Sequence, residues 1–174
     1  MTSTDTTADS QANPSSYPLI QSELAGLLKG ERDWLVNLAN TSALLQLRLP
    51  GLNWVGFYLW RGGELVLGPF QGKPACVRIQ RGRGVCGTAA ARRTSLVVPD
   101  VHQFPGHIAC DPAAASELVV PLEFDGRQFG VLDLDAPVKE WFDASDREGL
   151  EAIVRILLRG TDWPEDIGEP VLPA

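Results

Sequence analysis

Residues Ser116–Leu134 read S-E-L-V-V-P-L-E-F-D-G-R-Q-F-G-V-L-D-L, and this stretch decides the fold. Two β-rich runs, Ser116 to Phe124 and Gln128 to Leu134, flank Asp125-Gly126. An Asp-Gly pair between such runs is a strong two-residue hairpin signal. The stretch therefore predicts two antiparallel strands. The second continues as L-D-L-D-A, which places Asp133 and Asp135 on one face with Val131. Leu132 and Leu134 fall on the other.

A second hairpin lies upstream. Asn53 to Trp60 (N-W-V-G-F-Y-L-W) has strand composition, and Arg61-Gly62-Gly63 turns it into Glu64 to Leu67. Period two places Trp54, Gly56 and Tyr58 opposite Val55, Phe57 and Leu59. Helices are predicted over Tyr17–Leu28, with Leu24, Leu27 and Leu28 on one face, and over Glu31–Leu49. In the second, Leu35, Leu38, Ser42, Leu45 and Leu49 recur by threes and fours. Asp143 to Leu158 carries the clearest stripe, Gly149, Ile153 and Leu157 beside Leu150, Val154 and Leu158. Asp143 is its expected N-cap and Gly160 its terminator. Gly84 to Arg93 reads as a short helix, followed by a β-rich run from Thr94 to Val98. Tight-turned strand pairs with amphipathic helices at both ends predict an α+β domain, a central antiparallel sheet with helices packed on one face. Residues 18–160 form that domain, and 1–17 and 161–174 read as poorly ordered tails.

The chain has 174 residues, a net charge of -7 and 44% hydrophobic residues. That suffices for one domain with a real core. The acidic balance disfavours nucleic-acid binding. The first residues carry no apolar run and no Lys or Arg, so neither a signal nor a transit peptide is expected. No apolar segment approaches membrane-spanning length. The expected location is the cytoplasm, where thiols stay reduced and disulfides are usually transient.

Two features point to chemistry. Paired carboxylates one residue apart in an apolar strand are costly without partners. They mark either a solvent-facing strand end or a site for a cation, with Glu117 able to join them from the facing strand. Gly56 between Trp54 and Tyr58 likewise marks either a packed aromatic cluster or room for a small ligand. The three cysteines, Cys76, Cys86 and Cys110, all fall in one stretch rich in Gly and Pro that also holds His107. Inert core thiols, a structural zinc site built with His107, and redox catalysis are the alternatives. The spacings do not fit the paired C-x2-4-C pattern of structural zinc. Redox catalysis needs a nucleophilic thiol, a resolving thiol and access for a reductant. Cys86 sits near a helix start after Arg81 and Arg83, a setting that favours thiolate.

The runs N-W-V-G-F-Y-L, L-G-P-F-Q-G-K-P-A-C, G-R-G-V-C-G-T-A, V-P-D-V-H-Q-F-P-G-H-I-A-C-D, S-E-L-V-V-P and F-G-V-L-D-L-D resemble the free methionine-(R)-sulfoxide reductases, which are GAF-domain enzymes. The resemblance spans about Leu19 to Leu158. It implies a GAF-like sheet flanked by helices, and reduction of free L-methionine (R)-S-oxide with electrons from thioredoxin. By position, Cys110 resembles the nucleophile that becomes a sulfenic acid. Cys76 resembles the resolving thiol, and Cys86 the third active-site cysteine, able to take over resolution. Trp54 and Tyr58 match the aromatic pocket, and Glu117, Asp133 and Asp135 the acidic substrate-binding positions. The resemblance implies a homodimer, no bound cofactor and no metal. The alternative is a non-catalytic GAF ligand-binding or redox-sensor module.

Overall fold

A computed structural model describes residues 16–108 and 111–170. The predicted hairpin forms as read: β5 (Ser116–Phe124) and β6 (Arg127–Ala136) pair antiparallel, with Phe124 opposite Arg127. Asp125 and Gly126 both take positive φ, 51° and 71°. That is the twist a two-residue hairpin needs, and a short polar residue beside a glycine supplies it at low cost. Upstream, β1 (Trp54–Arg61) and β2 (Glu64–Gly72) form the second hairpin through Gly62-Gly63.

β1 also pairs with β6, which joins the hairpins into one sheet of order β3-β2-β1-β6-β5-β4. β3 (Arg78–Ile79) and β4 (Leu96–Val98) are short edge strands, and β7 (Glu169–Pro170) pairs with β6. β2 runs five residues past the predicted end at Leu67, through G-P-F-Q-G. The ladder absorbs this with an irregularity opposite Phe57, where Gly68 and Pro69 fall outside the pairing. β6 likewise continues two residues past Leu134, so Asp135 lies within the ladder opposite both Trp54 and Glu117.

α1 (Tyr17–Leu27), α2 (Trp34–Arg48) and α4 (Ala144–Arg159) cover one face of the sheet. Val55, Phe57 and Leu59 of β1, Leu118, Val120 and Leu122 of β5, and Leu132 and Leu134 of β6 meet them in the larger core. Each such side chain contributes roughly 1.5–3 kcal/mol of hydrophobic burial. Leu27 and Leu35 depart from the predicted stripes and are exposed. Ile20, Leu24 and Leu28 line the buried side of α1. α2 begins three residues later than predicted because Asp33 caps it, accepting from the Leu35 and Val36 N–H groups. The Glu31 carboxylate takes the Arg32 and Asp33 N–H groups just before.

Two further corrections concern placement. α3 (Gly84–Arg92) lies on the opposite face from the other helices, so the sheet is covered on both sides. Residues 161–170 are docked, not a loose tail. Ile167 is fully buried, Trp163 stacks on Phe129 at 4.4 Å, and the Gly168 N–H donates to the Trp60 carbonyl. Residues 1–15 and 171–174, the remaining parts of the predicted tails, lie outside the described residues.

Candidate active site

The face opposite the three helices carries a smaller cluster: Trp54, Tyr58, Trp60, Val119 and Val131 from the sheet, with Val85, Cys86, Ala89 and Ala90 from α3. Under α3, Trp60 donates through Nε1 to Gln128 Oε1, and Gln128 Nε2 donates to the Ala90 carbonyl, at 2.8 and 3.0 Å. These bonds fix the helix on the strands. α3 therefore holds Cys86 over the ends of β5 and β6.

There the two strands present Glu117, Asp133 and Asp135. The β5–β6 register sets Glu117 opposite Asp135 and Val119 opposite Asp133. Glu117 and Asp133 are each 6% exposed. This overturns the solvent-facing strand end: the ladder continues and α3 covers it. Cys86 Sγ lies 3.9 Å from Glu117 Oε1, and His107 Nε2 4.0 Å from Glu117 Oε2. Asp133 Oδ1 is buried with no hydrogen-bond partner among the described residues.

Electrostatics follow from this crowding. Burial, reinforced by the charges of Asp133 and Asp135, pushes the Glu117 pKa well above the carboxylate range. Burial likewise raises Asp135, helped by Asp133 and Asp111. Asp133 is pushed up to about 6 by burial, against hydrogen bonds with Cys86 and Glu117 that pull it down. Burial and the nearby carboxylates also raise the Cys86 thiol, so the thiolate expected from Arg81 and Arg83 is not favoured. Burial lowers His107, with His102 adding to the effect. Like charges confined together keep part of the set protonated.

The aromatic wall is a stack. Trp54 lies 5.4 Å from Phe70 and 5.9 Å from Tyr58 between ring centroids. A Cβ on Gly56 would sit 2.3 Å from Phe70 Cβ and 2.7 Å from the Trp54 ring. The room over Gly56 is thus filled by aromatics, and the packed-cluster reading holds there. Polar edges tie this wall to the thiol loop. Tyr58 OH donates to the Cys76 carbonyl at 3.0 Å, and Trp54 Nε1 to the Lys73 carbonyl at 3.1 Å.

Cys76 is disulfide-bonded, whereas Cys86 is a free buried thiol. The zinc set built on Cys76, Cys86, His107 and Cys110 therefore loses Cys76 as a ligand. Cys110 lies outside the described residues. The next residue, Asp111, accepts from Asn53 Nδ2 at 3.0 Å and from the Ala113 N–H at 2.9 Å, and pairs with Lys73 at 3.4 Å. These donors, the Ala113 N–H foremost, hold its pKa down. The cleft is lined by Trp54, Tyr58, Cys86, His107, Glu117, Asp133 and Asp135 together with Arg83, Ile108 and Asp111.

Residues 34–157 match the GAF domain family. The chain is 52% identical over 150 residues to the free methionine-R-sulfoxide reductase of Escherichia coli (strain K12), covering 84% of this chain and 91% of the relative. The chain belongs to the free methionine-R-sulfoxide reductase family. The Saccharomyces cerevisiae free methionine-R-sulfoxide reductase is 46% identical, over 76% of this chain and 78% of its own. Among solved structures, fRMsr of Staphylococcus aureus in complex with substrate superposes with a TM-score of 0.82 at 51% identity. It covers 86% of this chain and 98% of the other.

Within this reductase-family fold, Trp54, Tyr58, Cys86, His107, Glu117, Asp133 and Asp135 meet in one cleft. Trp54 and Tyr58 form its wall, Glu117, Asp133 and Asp135 its floor, and Cys86 its roof. Cys76 meets the cleft through its carbonyl bond to Tyr58. Asn53, Lys73 and Asp111 went unassigned in the sequence.

Proposed function

We propose that this protein reduces free L-methionine (R)-S-oxide to methionine through a cysteine sulfenic acid and a disulfide, with thioredoxin as reductant. The observation that carries this reading is the pair of buried carboxylates, Glu117 and Asp133, beside the free Cys86 thiol, with half-buried Asp135 at the same cleft and Asp133 Oδ1 lacking a partner among the described residues. A buried carboxylate with one oxygen left unpartnered is costly and favours a cation. The α-ammonium of a free amino acid fits, and a peptide offers none at that position. The substrate carboxylate would face the N–H groups of Gly84, Val85 and Cys86, which open α3 without a side-chain cap. Trp54 and Tyr58 would cradle the S-methyl group.

The chemistry needs an acid and a nucleophile. A sulfoxide becomes a good electrophile when its oxygen is protonated. Glu117, held neutral by burial and its carboxylate neighbours, is suited to donate that proton. Cys110 attacks sulfur as thiolate and the oxygen leaves with the thiol, giving Cys-SOH and methionine. Cys76 then condenses with the sulfenic acid, releasing water and forming the disulfide. Cys76 is disulfide-bonded, Cys86 is free, and the chain has three cysteines, which supports Cys110 as the partner of Cys76. An external dithiol reopens the bond by exchange.

In the disulfide-bonded form the cleft encloses about 40 Å³. That is well short of the roughly 300 Å³ at which ligand pockets begin. The reduced form is therefore the one assigned to substrate binding. No step calls for a metal or organic cofactor. The cytoplasm, with its thioredoxin, is the compartment proposed. The homodimer implied by the family resemblance is the proposed assembly, and sedimentation equilibrium tests that state.

The decisive experiment is an NADPH-coupled thioredoxin assay on free (R)-sulfoxide, free (S)-sulfoxide and a peptidyl sulfoxide. Turnover of the first alone is expected. Turnover of none of the three would return the chain to a non-catalytic GAF module.

A further inference from the structure

Cys86 plays no required part in the proposed cycle, yet it is buried against two carboxylates rather than among apolar atoms alone. Its Sγ and one oxygen each of Glu117 and Asp133 all lie within 4.8 Å of one another, and all three residues are buried. A tetrahedral zinc ion holds sulfur at about 2.3 Å and oxygen at about 2.0–2.2 Å, so its ligand atoms stand roughly 3.5 Å apart. The observed 3.9 Å between Cys86 Sγ and Glu117 Oε1 is already close to that spacing. A rotamer adjustment of about 1 Å closes the rest.

An independent observation points to a ligand here. Asp133 is 6% exposed and lines the cleft; its carboxylate shares hydrogen bonds with Cys86 and Glu117, yet Oδ1 is left without a partner among the described residues. The cleft of about 40 Å³ suits an ion with a water or two. His107 Nε2, 4.0 Å from Glu117 Oε2, is within reach as a fourth ligand. Burial disfavours its protonation, which leaves a ring nitrogen lone pair available.

We propose that Cys86, Glu117 and Asp133 form an inhibitory binding site for a thiophilic divalent cation of the zinc class. This set differs from the one the cysteine spacing raised, since it uses one thiol and two carboxylates. Binding displaces the Cys86 thiol proton and the proton held among the carboxyls, both of which leave to solvent. The ion then occupies the position assigned above to the substrate ammonium. That competition, though not the metal site itself, rests on the proposed function.

Cobalt(II) is the probe, because a thiolate ligand gives it a sulfur-to-metal charge-transfer band. The full chain is used with its disulfide intact, so that Cys86 is the one free thiol, as a thiol titration verifies. Expected are one cobalt per chain, a thiolate charge-transfer band, displacement by zinc and none by magnesium. Cys86→Ser should abolish the band and weaken binding by at least about 100-fold, and Asp133→Asn should keep the band while weakening binding by about 10-fold or more. No charge-transfer band in the wild-type protein, or equal cobalt affinity in Cys86→Ser, overturns the site. The wild-type result stands whether or not a variant folds. In a separate arm on the thiol-reduced protein, free methionine (R)-sulfoxide should weaken cobalt binding. If the disulfide-intact protein shows the band but substrate has no effect in that arm, the metal site is upheld and the placement of the ammonium fails.

Discussion

Two buried acidic sites lie on opposite faces of the same sheet, and they are built differently. On the helix face, Asp146 is 2% exposed and fully engaged. Tyr17 OH donates to its Oδ1 at 2.8 Å and the Asp143 N–H to its Oδ2 at 2.8 Å. The latter belongs to a capping box that starts α4. Gly149, one turn along, leaves space for the Tyr17 ring, which a Cβ would meet at 2.3 Å. On the cleft face, Glu117 and Asp133 share hydrogen bonds with each other and with the Cys86 thiol, Asp135 faces them half-buried, and Asp133 Oδ1 has no partner among the described residues. A buried acid with donors assigned stabilises the fold. An acidic cluster left short of a donor is costly to the ligand-free protein and favours a cation.

Four outcomes would break or sharpen that contrast. The largest concerns the cleft alone. Cys110→Ser should abolish thioredoxin-dependent reduction of free methionine (R)-sulfoxide, while melting of the thiol-reduced protein stays unchanged. Full activity in that variant would end the nucleophile assignment. Next, Asp133→Asn should raise KM for the free sulfoxide by about 10- to 100-fold, the value of one charge-assisted contact to the ammonium. An unchanged KM in steady-state assays would remove Asp133 from substrate binding.

On the helix face, Asp146→Ala should cost about 2 kcal/mol, from a lost cap and an unsatisfied Tyr17 hydroxyl. Its KM should not move, and urea melts with parallel kinetics read both. The smallest effect has the opposite sign. Asp133→Asn should raise the melting temperature of ligand-free protein at pH 8 by about 2–4 °C, the response of a domain this size to about 1 kcal/mol. The sign follows from linkage. Glu117, Asp133 and Asp135 have pKa values raised by folding, so the folded state holds more protons than the unfolded one. Their stabilising contribution is complete below about pH 4, the ordinary carboxyl range. It is lost as pH rises through about 6, where Asp133 titrates, and beyond. The gain from Asp133→Asn should therefore shrink to nothing near pH 4. A variant less stable than wild type at pH 8 would mean that the hydrogen bonds of Asp133 with Cys86 and Glu117 outweigh the cost of burying its charge.

Both hairpins and the order of the helices were legible in the sequence, because they rest on local periodicity and turn chemistry, whereas the residues of the cleft were grouped there by the family resemblance. Asp125-Gly126 allows little but a tight turn, and Asp143 announces a helix start. What was not legible depended on long-range contact. The exposure of Leu27 and Leu35 reflects where neighbouring helices end, which a 3.6-residue stripe does not report. The extension of β2 through Pro69 depends on a ladder irregularity opposite Phe57. The docking of residues 161–170 depends on Phe129 and Trp60, more than thirty and a hundred residues away in sequence. Cys86 was misjudged for the same reason: Arg81 and Arg83 are near it in the chain, but Glu117 and Asp133 are near it in space.

The strand period alone placed Asp133 and Asp135 together and opposite Leu132 and Leu134, because alternate side chains must point to opposite faces. Which face is buried, and against what, is a property of the packed sheet. β5 had to bring Glu117 into register with Asp135, and α3 had to cross over the open face with its thiol turned inward. Desolvation acts through every atom within several ångströms, whatever its distance along the chain. The charge and chemistry of this cleft were therefore decided by tertiary structure, acting on residues whose faces the sequence had already assigned.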